Sequence, residues 1–124
     1  MVWVPSVEYI EALFKNQIKA GYLMNRHGLI STLDKVKWGM PFQDAPTIWD
    51  QVTILYKEII ENHYFSDGNK RIGSLLAYIL LFKRGYEFSP IEGEIYSMTM
   101  NVAQGLIEFE KLKEWFNKNS KKVK

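Results

Sequence analysis

Between Thr47 and Gly85 the apolar residues recur twice at helical spacing, and one stretch, HYFSDGNKR at 63–71, holds the two runs apart. The first run, TIWDQVTILYKEIIEN, turns Ile48, Val52, Leu55, Ile59 and Ile60 toward a core. The second begins near Asn69 or Lys70, carries Ile72, Leu75, Leu76, Ile79, Leu80 and Phe82, and ends at Lys83-Arg84-Gly85. Cations in a last turn followed by glycine are a helix stop. Because this second run is apolar nearly all round, it is expected to be the buried central helix.

The rest of the chain reads as helical too. Ser6 can cap a first helix that presents Ile10, Leu13, Phe14 and Ile18 and stops near Ala20-Gly21. Residues 21–46 hold glycines at 21, 28 and 39 and prolines at 41 and 46, so a long functional loop is expected, with room for a short helix at 31–38. Glu87-Phe88 reads as a brief extended piece. A fifth segment starts at Pro90 with Ile95, Met98, Met100 and Val102, and Leu106 to Asn117 closes the chain with Phe109, Leu112, Trp115 and Phe116. The final KNSKKVK reads as a solvated, fraying end. The expectation is an all-α domain of about six helices spanning 1–124.

Composition narrows what such a domain can do. With 124 residues there is room for one core and not two. No cysteine is present, which removes disulfides, thiolate metal sites and thiol nucleophiles together and fits a cytoplasmic setting. A net charge of +2 without a basic stripe interleaved with aromatics gives no footprint for direct nucleic-acid binding. The longest apolar run, LLAYILLF, is far short of the ~20 residues that a membrane span needs. The first residues lack a basic segment followed by an apolar one, so no signal peptide is expected.

HYFSDGNKR asks for more than a turn. It stands where one helix ends and another begins, and a helix N-terminus offers unpaired N–H groups and a positive dipole end to an anion. Gly68 lets backbone approach a ligand, Lys70 and Arg71 add cationic donors, and Arg71 can grip a phosphate with two bonds. Asp67 is a hard oxygen ligand suited to Mg²⁺ shared with phosphates. His63 can take a proton near neutral pH, and Phe65 can anchor the loop in the core. These are the parts for phosphoryl or nucleotidyl transfer. Taken singly, each has a plain structural reading: Asp-Gly-Asn is an ordinary turn and cap, and Lys-Arg an ordinary charged surface. Taken together, seven specified residues have a chance expectation of about one in 10⁹ per window at average residue usage.

Other candidates carry less. GNKRIGS has the glycine spacing of a phosphate loop but no lysine after Gly73 and no strand before it. His27 and His63 lack the further ligands that a zinc site needs. Met98 with Met100, and Trp115 with Phe116, fit helix packing, and Lys35 and Lys37 fit solvated charge.

HYFSDGNKR resembles the signature of Fic/Doc (Fido) proteins, H-x-F-x-[D/E/N]-[G/A]-N-[G/K]-R, and with lysine after asparagine it is closest to the death-on-curing branch. Similarity extends to RHGLISTLDKVKWGMPF as a flap ahead of the motif helix, to LLFKRGYEF, and to EIYSMTMNVAQGLIEFEKLKEW. The resemblance implies that His63 deprotonates a target hydroxyl and that Asp67 binds Mg²⁺ bridging the phosphates of ATP or another nucleotide. It implies that Gly68, Asn69 and Lys70 form an anion hole through backbone N–H groups, with the Asn69 side chain assisting. Arg71 would hold a phosphate, and the flap at 26–42 would align the target by strand-like pairing. Adenylyl-transferring members usually have glycine where Lys70 stands and a second arginine where Ser74 stands; Gly68, by contrast, matches them. The resemblance therefore implies first a protein kinase toxin of a toxin–antitoxin pair, acting on a Ser, Thr or Tyr hydroxyl of a protein, with a translation factor as target by analogy. Adenylyl (or other NMP) transfer is the rival, and a non-catalytic binding module the third reading. No inhibitory [S/T]-x-x-x-E-[G/N] run occurs, since Ser6 is followed at that spacing by Ile10 and Ser31 by Lys35, which points to restraint by an antitoxin protein.

Overall fold

Thr47 opens the helix around which the others pack. In the computed structural model, which describes residues 2–124, its hydroxyl accepts the Asp50 N–H at 3.2 Å while the Asp50 carboxylate accepts the Thr47 N–H at 2.9 Å. This reciprocal cap satisfies two backbone donors at the start of α3 (Ile48–Asn62). Asp50 also meets Lys113 of the last helix at 2.8 Å. Burial alone would raise the Asp50 pKa, but the hydrogen bonds from Lys113 and Thr47 outweigh it and hold it below the ordinary 3.8.

α1 (Val7–Leu13) is capped by Ser6, whose hydroxyl accepts the Tyr9 N–H at 3.0 Å. It does not run on as an α-helix to Ala20. The chain widens into a π-helical turn at Phe14–Ile18 and stops at Lys19, which is left-handed with φ 58°. α2 (Arg26–Trp38) is a correction to the expected long loop and flap at 26–42. Asn25 caps it by accepting the Gly28 N–H at 2.8 Å, and Leu29, Thr32, Leu33 and Val36 are buried on the side facing α3. Gly28 lies in the first turn, before the helix needs its full ladder, and Gly39 only ends it. Neither glycine breaks anything: the helix allowed for at 31–38 is present and begins five residues earlier, at Arg26.

α4 (Asn69–Lys83) begins and ends where the spacing predicts. It crosses α3 closely at Gly73, where a β-carbon would come within 2.9 Å of Ile60 Cγ1. The expected centre of the bundle is nevertheless displaced. α4 leaves Tyr78 and Phe82 exposed, whereas α3 buries nine residues and touches α2, α4, α5 and α6. A run apolar all round marks a buried helix only where neighbours cover every side, and α4 has an open side.

After Gly85 comes β1 (Tyr86–Phe88), then α5 (Glu94–Ala103), which starts four residues later than Pro90. α6 (Phe109–Lys118) buries Leu112, Trp115 and Phe116. Phe88 meets the rings of Trp115 and Phe116 at 5.3 and 5.2 Å. The lysine-rich end is ordered: β2 (Ser120–Lys122) pairs antiparallel with β1, Phe88 opposite Ser120 and Tyr86 opposite Lys122. Its lysines face solvent while its backbone completes a ladder, a combination that charge counting misses. The molecule is all-α apart from this small ribbon. Among the described residues no helix is long and apolar enough to cross a membrane.

Candidate active site

HYFSDGNKR links the C-terminus of α3 to the N-terminus of α4, and one aromatic stack and one pair of hydrogen bonds set its shape. Phe65 is 1% exposed and stacks on Phe14 of the π-turn at 4.1 Å, with the rings 19° apart. Asn69 then holds Phe65 from both sides: its Oδ1 accepts the Phe65 N–H at 3.0 Å and its Nδ2 donates to the Phe65 carbonyl at 2.8 Å. Both bonds are buried, so each group they satisfy would be costly to leave bare. The Asn69 side chain thereby gives one donor and one acceptor bond to the loop, and its backbone N–H has no partner among the described residues.

The preceding segment braces the loop from outside. The Tyr64 carbonyl accepts the N–H groups of Met24 and Asn25 at 2.8 and 3.0 Å, and Ser66 N–H donates to the Tyr22 carbonyl at 2.9 Å. It is thus 22–25, rather than the helical 26–38, that runs beside the motif as an extended strip. Behind it, buried Thr32 joins Tyr64 and Glu58, and Glu58 holds Lys35 at 3.1 Å, so Lys35 is not merely solvated.

Anchored this way, the motif's polar groups line one cleft of about 660 Å³. His63 caps α3 in a left-handed conformation, φ 52°, and is exposed. A histidine there is a local strain of about 1–3 kcal/mol. Asp67 lies across the turn with its side chain 70% exposed; Oδ1 accepts the Gly68 N–H at 2.7 Å and Oδ2 stands 3.9 Å from Arg71 Nη2. No side chain caps α4, and the N–H groups of Asn69, Lys70 and Arg71 have no partner among the described residues. Three amide donors, the positive end of a 15-residue helix and the Arg71 guanidinium all open on the space that His63 and Asp67 border. Such a pocket attracts an oxyanion. Among the described residues no three acidic or histidine side chains gather into a metal cage. A cation here has one carboxylate, Asp67, and would complete its shell from phosphate and water, which is how Mg²⁺ is usually held.

Gly68 matters for two reasons. It sits at φ 78°, and a β-carbon on it would come within 2.6 Å of Ile18 Cγ2, an atom of the π-turn. Gly68→Ala is therefore expected to cost about 1–3 kcal/mol from overpacking and left-handed strain together. In thermal unfolding, adding Ile18→Ala should relieve part of the strain, making the pair of changes cost less than their sum.

A family model described as the Fic/DOC family matches residues 11–81. The chain belongs to the Fic/DOC family. No curated protein gives a significant match. The Fic/DOC match takes in the π-turn, the 22–25 strip, the motif and nearly all of α4, which is the assembly that fixes the loop. It stops short of α5, yet α5 supplies Ile95, Tyr96, Thr99 and Met100 to the far wall of the cleft. Sequence reasoning missed that wall. Met100 was expected in the core, and nothing in EIYSMTM separates a residue lining a cleft from one filling a helix contact.

Proposed function

We propose that this Fic/DOC protein is a Mg²⁺-dependent transferase that moves a group from ATP or another nucleotide onto a hydroxyl of a target protein. The observation that carries the proposal is the uncapped start of α4, whose three free amides open on the same cleft as His63 and Asp67. His63 takes the proton of the attacking hydroxyl. The hydroxyl oxygen bonds to phosphorus as the bond to the leaving phosphate breaks, and the amides of Asn69, Lys70 and Arg71 spread the charge that develops. Arg71 orients the phosphates and Asp67 supplies the protein's oxygen to the metal. When bound, Mg²⁺ would neutralise charge on the phosphate oxygens.

Within the family, the death-on-curing type of kinase is favoured, with the terminal phosphate transferred. Lys70 fills a position that is glycine in adenylyl-transferring relatives. Ser74 stands where they carry a second arginine, and its hydroxyl is turned back to the Lys70 carbonyl at 2.8 Å. An antitoxin that occludes the cleft and a protein target bearing Ser, Thr or Tyr complete this reading. Gly68 is the observation on the other side, since adenylyl transferases share it. Incubation with ATP labelled separately at the α and γ phosphates separates the two readings. Protein label from the γ position alone is the expected result, and label from the α position alone would replace kinase by adenylyl transfer.

A further inference from the structure

The inner wall of the cleft contains a chain of hydroxyls that the transfer chemistry above does not use. Tyr56 of α3 is wholly buried, and its phenol is hydrogen-bonded to Thr99 of α5. Thr99 is 6% exposed and borders the cleft, and its Oγ1 stands 3.4 Å from Ser74 Oγ. Directions follow from what each group can reach. Ser74 gives its hydrogen to the Lys70 carbonyl. The hydroxyl in direct hydrogen-bond contact with the Tyr56 phenol is Thr99, with Ser74 the next beyond it, and burial pushes the phenol's pKa to about 12 against the lowering effect of these two hydroxyls. It therefore stays protonated and donates to Thr99 Oγ1, because a buried O–H left bare would be costly. With its oxygen already accepting, Thr99 has its own hydrogen to spare. At 3.4 Å the bond to Ser74 is long and weak, so that hydrogen is available to the cleft.

We propose that Thr99 is a nucleotide-binding residue, its hydroxyl aimed by Tyr56 so that its hydrogen meets an acceptor oxygen of the nucleotide one group along from the phosphate at the start of α4. The inference rests on the transferase reading for the identity of the ligand. The geometry it rests on is the placement of Thr99 between Tyr56 and Ser74, and Thr99 lies outside residues 11–81 matched by the family model. Ser74 Oγ, bonded one turn back to Lys70, marks how near Thr99 is to the phosphate end. Phosphate and ribose oxygens offer the same acceptor chemistry to an O–H donor.

Calorimetric titration with Mg²⁺ and a non-hydrolysable ATP analogue tests this, with Mg²⁺ tripolyphosphate as a second probe. Thr99→Val keeps the shape and loses the donor, and should weaken the analogue about ten-fold. Thr99→Ser should bind as the unchanged protein does. Weakening shared by tripolyphosphate identifies a phosphate oxygen, and weakening confined to the analogue identifies the ribose; each supports the proposal. Thr99→Val also strands the Tyr56 phenol, so stability must be separated from binding. Tyr56→Phe/Thr99→Val removes both partners and should regain thermal stability over Thr99→Val without regaining affinity. Affinity that returns with stability, or Thr99→Val that binds like the unchanged protein, overturns the role of Thr99. Failure of the unchanged protein to bind either probe would instead overturn the transferase reading, and this inference with it.

Discussion

His63→Ala should lower transfer to protein by roughly 10²–10⁴-fold, the usual share of a positioned general base. Its melting temperature should hardly change, because the side chain is exposed and has no hydrogen-bond partner among the described residues. His63→Gly sharpens the test. At φ 52° the backbone is left-handed, so glycine should relieve strain and raise stability by about 0.5–1 kcal/mol while removing activity just as fully. A residue that costs stability where it stands and whose removal silences the protein is there for chemistry. If growth arrest or protein labelling survives His63→Ala undiminished, the protein is a binding module or takes its base from elsewhere.

The second large effect is structural. Phe65→Ala should destabilise the fold by about 3–5 kcal/mol, the range for truncating a buried aromatic ring. Phe65 is 1% exposed and stacked on Phe14, and its backbone carries both hydrogen bonds of the Asn69 side chain. Losing the ring therefore loosens the clamp that orders the start of α4. Chemical denaturation measures the stability, and nucleotide titration well below the midpoint measures the clamp. Affinity should fall with stability in Phe65→Ala, whereas in Phe65→Leu most of both should remain. A Phe65→Ala protein as stable as its parent would mean that the stack with Phe14 holds nothing in place.

How much of this was legible depends on which physical signal each element leaves in the chain. α3 and α4 were readable to within a residue because their apolar periodicity is long and their ends carry Thr47 and Lys83-Arg84-Gly85. The polar residues of HYFSDGNKR were readable as a group because that chemistry is expensive to place in one turn. α2 was legible only as room for a short helix at 31–38 within a loop, because Gly28 and Gly39 look like breakers although they occupy only its ends. β2 was missed because its pairing with β1 is between backbones and leaves no mark on Ser120, Lys121 or Lys122. The π-turn, whose Phe14 and Ile18 fix Phe65 and Gly68, reads in sequence as the tail of an ordinary helix. The α5 wall is tertiary in the same sense: Thr99 matters only because α3 brings Tyr56 behind it and α4 brings Ser74 beside it.

The central claim is that the first amides of α4 receive a nucleotide's phosphates. Backbone amide spectra, recorded while Mg²⁺ and a non-hydrolysable ATP analogue are added, address those donors directly. Asn69, Lys70 and Arg71 should show the largest displacements, saturating together with one affinity and reverting on chelation of the metal. Saturable binding that shifts amides elsewhere and leaves these three unmoved would contradict the account.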